Sequence, residues 1–195
     1  MNEKSTAGVI GARDVVLCGF FAALTAVGAF IKIMLPIGVF QVTFSLQLLF
    51  ALMAGLVLGS RKGLYSVMSY LLIGLAGVPV FAHGGGPAYL MRPTFGFLAG
   101  FAAAAWLAGA VSENTRTPSV RRLFLAAFLG EMAYYACGLA WYYVMFNFVL
   151  TDGRSIGLKE LFLVWFCSTV IPDTLLSCIA ALLADRLIKT RRFLR

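Results

Sequence analysis

Two buried acids, an amide, an arginine and a run of glycines are the parts of this chain that could do chemistry. Asp173 follows Pro172 with long apolar stretches on either side, and Glu131 lies inside another apolar run. Gln47 opens a third run, and Arg92 stands beside Pro93 at the mouth of a fourth. Ionisable groups at such depth are costly in hydrocarbon, which makes each a functional candidate. Pro172 takes a backbone donor out of its helix and frees a carbonyl near Asp173, whose carboxyl can accept from a ligand N–H or tie down a neighbouring helix. Gln47 offers a donor and an acceptor, for recognition of an amide-like ligand or as glue between helices. Arg92 can hold a ligand carboxylate through two parallel bonds, or can snorkel to water. Glu131 reads as a partner in helix packing.

Gly84, Gly85 and Gly86 stand in a row between two apolar runs. Each costs a helix about 1 kcal/mol relative to alanine, so the backbone breaks there. Its freed donors lie near Tyr89 and Arg92, which suggests a ligand cradle. Tyr135 and Trp141 are candidates to stack on a flat ring, whereas Tyr142 and Tyr143 suit an interfacial aromatic belt. His83, the single histidine, reads as an exposed loop residue and cannot form a metal site alone.

Several chemistries lack their motifs. The chain has no GxxxxGK[ST] phosphate loop, no HExxH and no GxSxG. Cys18, Cys137, Cys167 and Cys178 fall in apolar stretches without a CxxC spacing, as small packing residues do. No catalytic residue, metal or cofactor is expected. One deep carboxylate besides Asp173 is too few for the proton relay of a pump. An intramembrane enzyme would need several catalytic groups at one depth, so a passive binder of a small solute is expected.

The elements that position these groups are membrane helices. Of 195 residues 61% are hydrophobic and 12% charged, against roughly 25% charged in a soluble domain. Six apolar segments can be drawn, at about 15–35, 44–58, 64–81, 88–111, 123–150 and 161–188, as an all-α membrane domain covering 1–195. The second and third are short of the ~20 residues of a full span. A break is expected at Thr151-Asp152-Gly153, and no signal peptide is evident. Of 16 basic residues, 12 (Lys4, Arg13, Arg61, Lys62, Arg116, Arg121, Arg122, Arg186, Lys189, Arg191, Arg192 and Arg195) fall on one side of these spans. Lys32, Arg92, Arg154 and Lys159 fall on the other, and this asymmetry puts both termini in the cytoplasm. The net charge of +8 is therefore topology and no nucleic-acid footprint. Ala22, Ala26 and Ala29 share one face of the first segment, which suits close packing within the chain or docking on a separate membrane subunit.

Longer stretches carry a resemblance. Val42-Thr43-Phe44-Ser45-Leu46-Gln47 with Ala54 to Gly59, Tyr70 to Ala82, the glycine run, Arg92 to Phe101, and Tyr135, Gly138 and Trp141 together resemble the BioY family. That family comprises the biotin-binding S components of energy-coupling-factor transporters. The resemblance covers about 22–185 and implies a six-helix subunit that captures biotin at the outer face of the bacterial plasma membrane. It also implies a coupling transmembrane protein, met through Ala22 and Ala26, and two cytoplasmic ATPases. Asp173 and Gln47 would then meet the ureido edge; Tyr89, Tyr135 and Trp141 the rings; Arg92 the carboxylate. A relative of biotin as ligand and a stand-alone facilitator are the alternatives. Two positions depart from the pattern: Leu176 stands where the family commonly has lysine, and Arg92 where it usually has glycine. Arg92 taking over the missing charge is one expectation from that exchange.

Overall fold

The first apolar run does not stay helical. A computed structural model describes residues 11–37, 40–113, 118–150 and 156–193. In it α1 (Ala12–Phe30) gives way to β1 (Lys32–Ile37), which pairs antiparallel with β2 (Phe40–Ser45). The register sets Lys32 opposite Ser45 and Ile37 opposite Phe40. The expected all-α architecture is therefore corrected by a hairpin. Pro36 is a poor residue to continue a helix, and Ile33, Val42, Thr43 and Phe44 are residues that pleated strands favour. Pairing of the two strands satisfies the backbone groups on their facing edges.

Helices α2 (Gln47–Leu58) and α3 (Ser60–Leu75) follow with one residue between them. Gly59 makes that corner at φ +93°, a conformation available to glycine and costly for other residues. Glu113 closes it, accepting from the Ser60 N–H and, at 2.9 Å, from the Ser60 hydroxyl. The chain then forms a strap (76–94) containing a 3-10 turn at Pro87–Met91. Helix α4 (Phe95–Glu113) starts later than expected, because Arg92 precedes a proline and is extended, at φ −80° and ψ 136°. Helix α5 (Val120–Val144) runs on through a π turn at Met145–Val149. A last rod joins α6 (Leu158–Leu161), a π turn at Phe162–Cys167 and α7 (Ser168–Phe193). The break expected at Thr151-Asp152-Gly153 and the basic residues Lys4, Arg116, Arg154 and Arg195 lie outside the described residues.

Four segments are long and apolar enough to cross a membrane: Ala12–Phe30, Phe95–Glu113, Val120–Val149 and Leu158–Thr190. Of these α4 is the most enclosed, with two-thirds of its apolar window buried, and it packs on α2, α3 and α5. Small residues allow that. A Cβ on Gly55 would lie 2.1 Å from the Ala105 carbonyl oxygen, so α2 and α4 cross almost backbone to backbone. Ala22 and Ala29 are buried and Ala26 half-buried, which turns the alanine stripe inward toward this chain's own α2 and α3. The side of α1 that faces outward carries Gly19, Ala23 and Val27 instead.

Candidate ligand-binding site

Gln47 begins α2 directly beneath β2, and both ends of its amide are fixed. Its Oε1 accepts from the Ser45 hydroxyl at 3.2 Å and its Nε2 donates to Tyr70 Oη at 2.5 Å. Asp173 comes from α7, one residue past Pro172, and is 5% exposed. The two face one cavity, with about 640 Å³ of atom-free space when its open mouth is counted.

Six parts of the chain form its walls. The hairpin and α2 supply Thr43, Phe44, Ser45, Gln47 and Leu48; the strap supplies Ala82, His83 and Tyr89. Thr94 ends the strap, Phe97, Leu98 and Phe101 come from the start of α4, Tyr134 from α5, and Trp165, Thr169 and Asp173 from the last rod. Aromatic rings make the middle of the cavity. Phe97 stacks on Trp165 at 5.3 Å, and Tyr134 stacks on Phe101 at 5.1 Å with 12° between planes. Such faces offer a flat apolar solute a large contact area.

The mouth is cationic. Lys32 Nζ donates to the Ala82 carbonyl, joining hairpin to strap, and the Arg92 guanidinium stands 5.1 Å from the Tyr89 ring centroid. Burial, then the charges of Lys32 and Arg92, push the His83 imidazole below its ordinary value, so it is neutral at neutral pH.

Of the residues singled out in the sequence, Gln47, Tyr89 and Asp173 line the cavity. The others stand behind it or at its edge. Gly86 donates its N–H to the Gly74 carbonyl at 2.7 Å, and a Cβ on Gly85 would sit 2.3 Å from the Val78 carbonyl oxygen. Gly85 and Gly86 thus seat the strap on the end of α3, and the three glycines are not among the residues that line the cavity. Tyr135 is bonded to Asp173 and Thr169, in the second rank. Trp141 donates from Nε1 to the Arg92 carbonyl at 3.3 Å and packs on Phe95, latching the strap to α5. Arg92 is exposed beside Tyr89, whereas Leu176 is buried in the core one turn beyond Asp173, and neither is among the residues that line the cavity. Glu131 is fully buried and accepts from Thr174 at 3.0 Å and Ser177 at 2.7 Å, joining α5 to α7 as expected.

Phe97, Phe101, Tyr134 and Trp165 were not singled out. Their spacing held a clue: Trp165, Thr169 and Asp173 are four residues apart and fall along one helix face.

An enclosed, aromatic-lined cavity held among apolar helices defines a membrane-embedded protein built to bind a small solute. A family model described as BioY family matches residues 1–193, and the chain belongs to that family. It is 42% identical to a probable biotin transporter BioY of Lysinibacillus sphaericus, over 93% of this chain and 90% of that one. It is 36% identical to the biotin transporter BioY of Thermotoga maritima, over 91% and 96% of the two chains. Its fold is similar to the crystal structure of the S-component for biotin from an ECF-type ABC transporter, with a TM-score of 0.75, 22% identity and 91% of each chain covered.

Proposed function

We propose that this chain is the biotin-capturing S component of an energy-coupling-factor importer, working with a coupling membrane protein and two cytoplasmic ATPases. Names borne by relatives 32% to 42% identical along nearly their whole length support the ligand. One observation about the site carries the reading. An acid and a fixed amide face a single aromatic cavity whose mouth is positive. Biotin has a neutral ureido edge with two N–H groups and a carbonyl, a fused ring system, and a tail ending in a carboxylate. Asp173 accepts from a ureido N–H, and Gln47 meets the same edge with its remaining amide proton and lone pair. Phe97, Tyr134 and Trp165 pack the rings with Tyr89, and Arg92 with Lys32 draws the carboxylate at the mouth. Gly84, Gly85, Gly86, Tyr135 and Trp141 serve from behind by holding the strap and the acid.

Six spans with both termini in the cytoplasm put this mouth at the outer face of the bacterial membrane, in keeping with the basic surplus at the opposite helix ends. With no phosphate-loop motif in its sequence, the chain depends on separate ATPases and is not itself an enzyme. Docking on the coupling protein uses α1, with Ala26 at the edge of the outward side and Ala22 behind it.

The test is displacement of labelled biotin from the purified chain. Unlabelled biotin should compete far better than other small vitamin-like acids, and Gln47→Ala should weaken biotin about tenfold. Another acid competing better than biotin would replace the ligand, and uptake by cells lacking any coupling subunit would support a stand-alone facilitator.

A further inference from the structure

Three oxygen–oxygen contacts run in line behind the cavity. Asp173 Oδ2 is bonded to Tyr135 Oη at 2.5 Å, and Tyr135 Oη to Thr169 Oγ1 at 2.7 Å. Thr169 Oγ1 in turn reaches the Trp165 carbonyl oxygen at 2.7 Å. Each contact requires one proton between its atoms. The two hydroxyls bring one proton each and the carbonyl brings none. With Asp173 ionised, Tyr135 gives its proton to the carboxylate and Thr169 gives its own to the carbonyl. The Tyr135–Thr169 contact is then left with lone pair facing lone pair. With a third proton on Asp173 Oδ2 the chain is filled in one direction, from Asp173 to Tyr135, from Tyr135 to Thr169, and from Thr169 to the Trp165 carbonyl.

The surroundings agree with that count. Among the described residues the ion pairs are Lys62–Asp14 and Lys189–Asp185, and neither reaches Asp173. From α5 the titratable groups facing it are Tyr134, Tyr135 and Glu131, while the strap brings His83 and Tyr89 to the same cavity. The hairpin, α2 and α4 add neutral side chains to the lining, Thr43, Ser45 and Gln47 being the polar ones, and the strap adds the neutral Thr94. The cations Lys32 and Arg92 act at the mouth, on His83. Glu131 accepts from two hydroxyls of α7, Thr174 and Ser177, one on each oxygen. Glu131 thus has two hydroxyl partners, whereas among the described residues Asp173 has a hydrogen bond with Tyr135 alone.

We propose that Asp173 is a neutral carboxylic acid before ligand enters, offering its unprotonated Oδ1 as an uncharged acceptor, so that the site selects a neutral N–H donor over an ammonium. Oδ1 has no bond to a described residue, and Asp173 lines the cavity. Tyr135 and Thr169 are positioning residues in this arrangement: they hold the acid proton away from the ligand. The selection rests on Asp173 meeting the ligand as proposed above. The proton itself does not, since it follows from the hydrogen-bond chain alone.

Infrared difference spectra of the purified full-length protein at neutral pH, recorded without biotin, test the proton directly. The carbonyl band of a protonated carboxyl should be present in wild type, be absent in Asp173→Asn, and persist in Glu131→Gln. Lack of any band sensitive to Asp173→Asn overturns the proposal. Binding of labelled biotin tests the selection. An asparagine amide copies a neutral acid, with an N–H for Tyr135 and a carbonyl for the ligand, so Asp173→Asn should weaken biotin only about threefold, and Asp173→Ala at least about tenfold. Equal large losses in both variants mean that an ionised acceptor is needed and overturn the proposal. Unchanged binding in Asp173→Ala overturns the selection and removes Asp173 from the site, while the infrared result still stands on its own.

Discussion

At the residue scale, the cavity divides its work between an inner polar end and an outer charged one. Gln47 has one amide proton and one lone pair left after Tyr70 and Ser45 have fixed its orientation, so it meets a ligand without first losing rotamer freedom. Arg92 is exposed and stacked on Tyr89. Its contribution is therefore screened and moderate. Arg92→Ala is expected to weaken binding of biotin about three- to tenfold and to leave binding of biotin amide, which has no carboxylate, unaltered. Equal loss for the acid and the amide would show that Arg92 supports the strap through Tyr89 and does not meet the carboxylate. Asp173, Gln47 and Tyr89 were legible in the sequence because polar groups and prolines are conspicuous in apolar runs. Phe97, Phe101 and Trp165 were not, because an aromatic residue facing a cavity and one facing the core look alike in a helix that is apolar all round. The sequence likewise does not tell Tyr134 from Tyr135. Adjacent tyrosines point about 100° apart on a helix, and which of them reaches the ligand depends on how α5 is rotated.

At the element scale, the strap and the hairpin decide the shape of the mouth. The strap is anchored by bonds from Gly86 to the Gly74 carbonyl and between Phe81 and Gly84, and by the Phe81 ring, which lies where a Cβ on Gly74 would be. Gly85→Ala is expected to destabilise the protein by about 1–3 kcal/mol through overpacking against the Val78 carbonyl, and to weaken biotin as Ala82 and His83 shift. Thermal unfolding in detergent, read beside binding, checks both. An unchanged melting midpoint would mean that the strap does not seat on α3 in this way. The glycine run was legible as a break in the helix, but its role was not: backbone freed from a helix can turn to a ligand or to protein, and the contact with α3 is tertiary. The hairpin was hidden because Lys32 to Ile37 continues the hydrophobicity of α1, and a buried strand and a helix end cannot be told apart by apolar content alone. The pairing of β1 with β2 depends on residues further along the chain.

At the scale of the whole molecule, the short helix α2 and the cavity are linked. At ~1.5 Å per residue, α2 covers about 18 Å, well under the ~30 Å of a hydrocarbon core. The hairpin above it and the enclosing α4 make up the difference, and the space left over the start of α2 is the upper part of the cavity. A short helix in a membrane protein thus marks where a solute can sit. That much was legible from the length of the apolar runs, as was the concentration of basic residues at one side. The crossing of α2 on α4 at Gly55 was not, since it requires knowing which helices are neighbours. The central claim is that one cavity, closed by Asp173 and Gln47 at its inner end, holds biotin. Native mass spectrometry of the full chain, purified from cells supplied with biotin and released from detergent in the spectrometer, tests it most directly. The wild-type protein should carry one added mass equal to biotin, and the Asp173→Ala protein should arrive without it. A wild-type protein that arrives bare, or one carrying a different metabolite, would contradict the account.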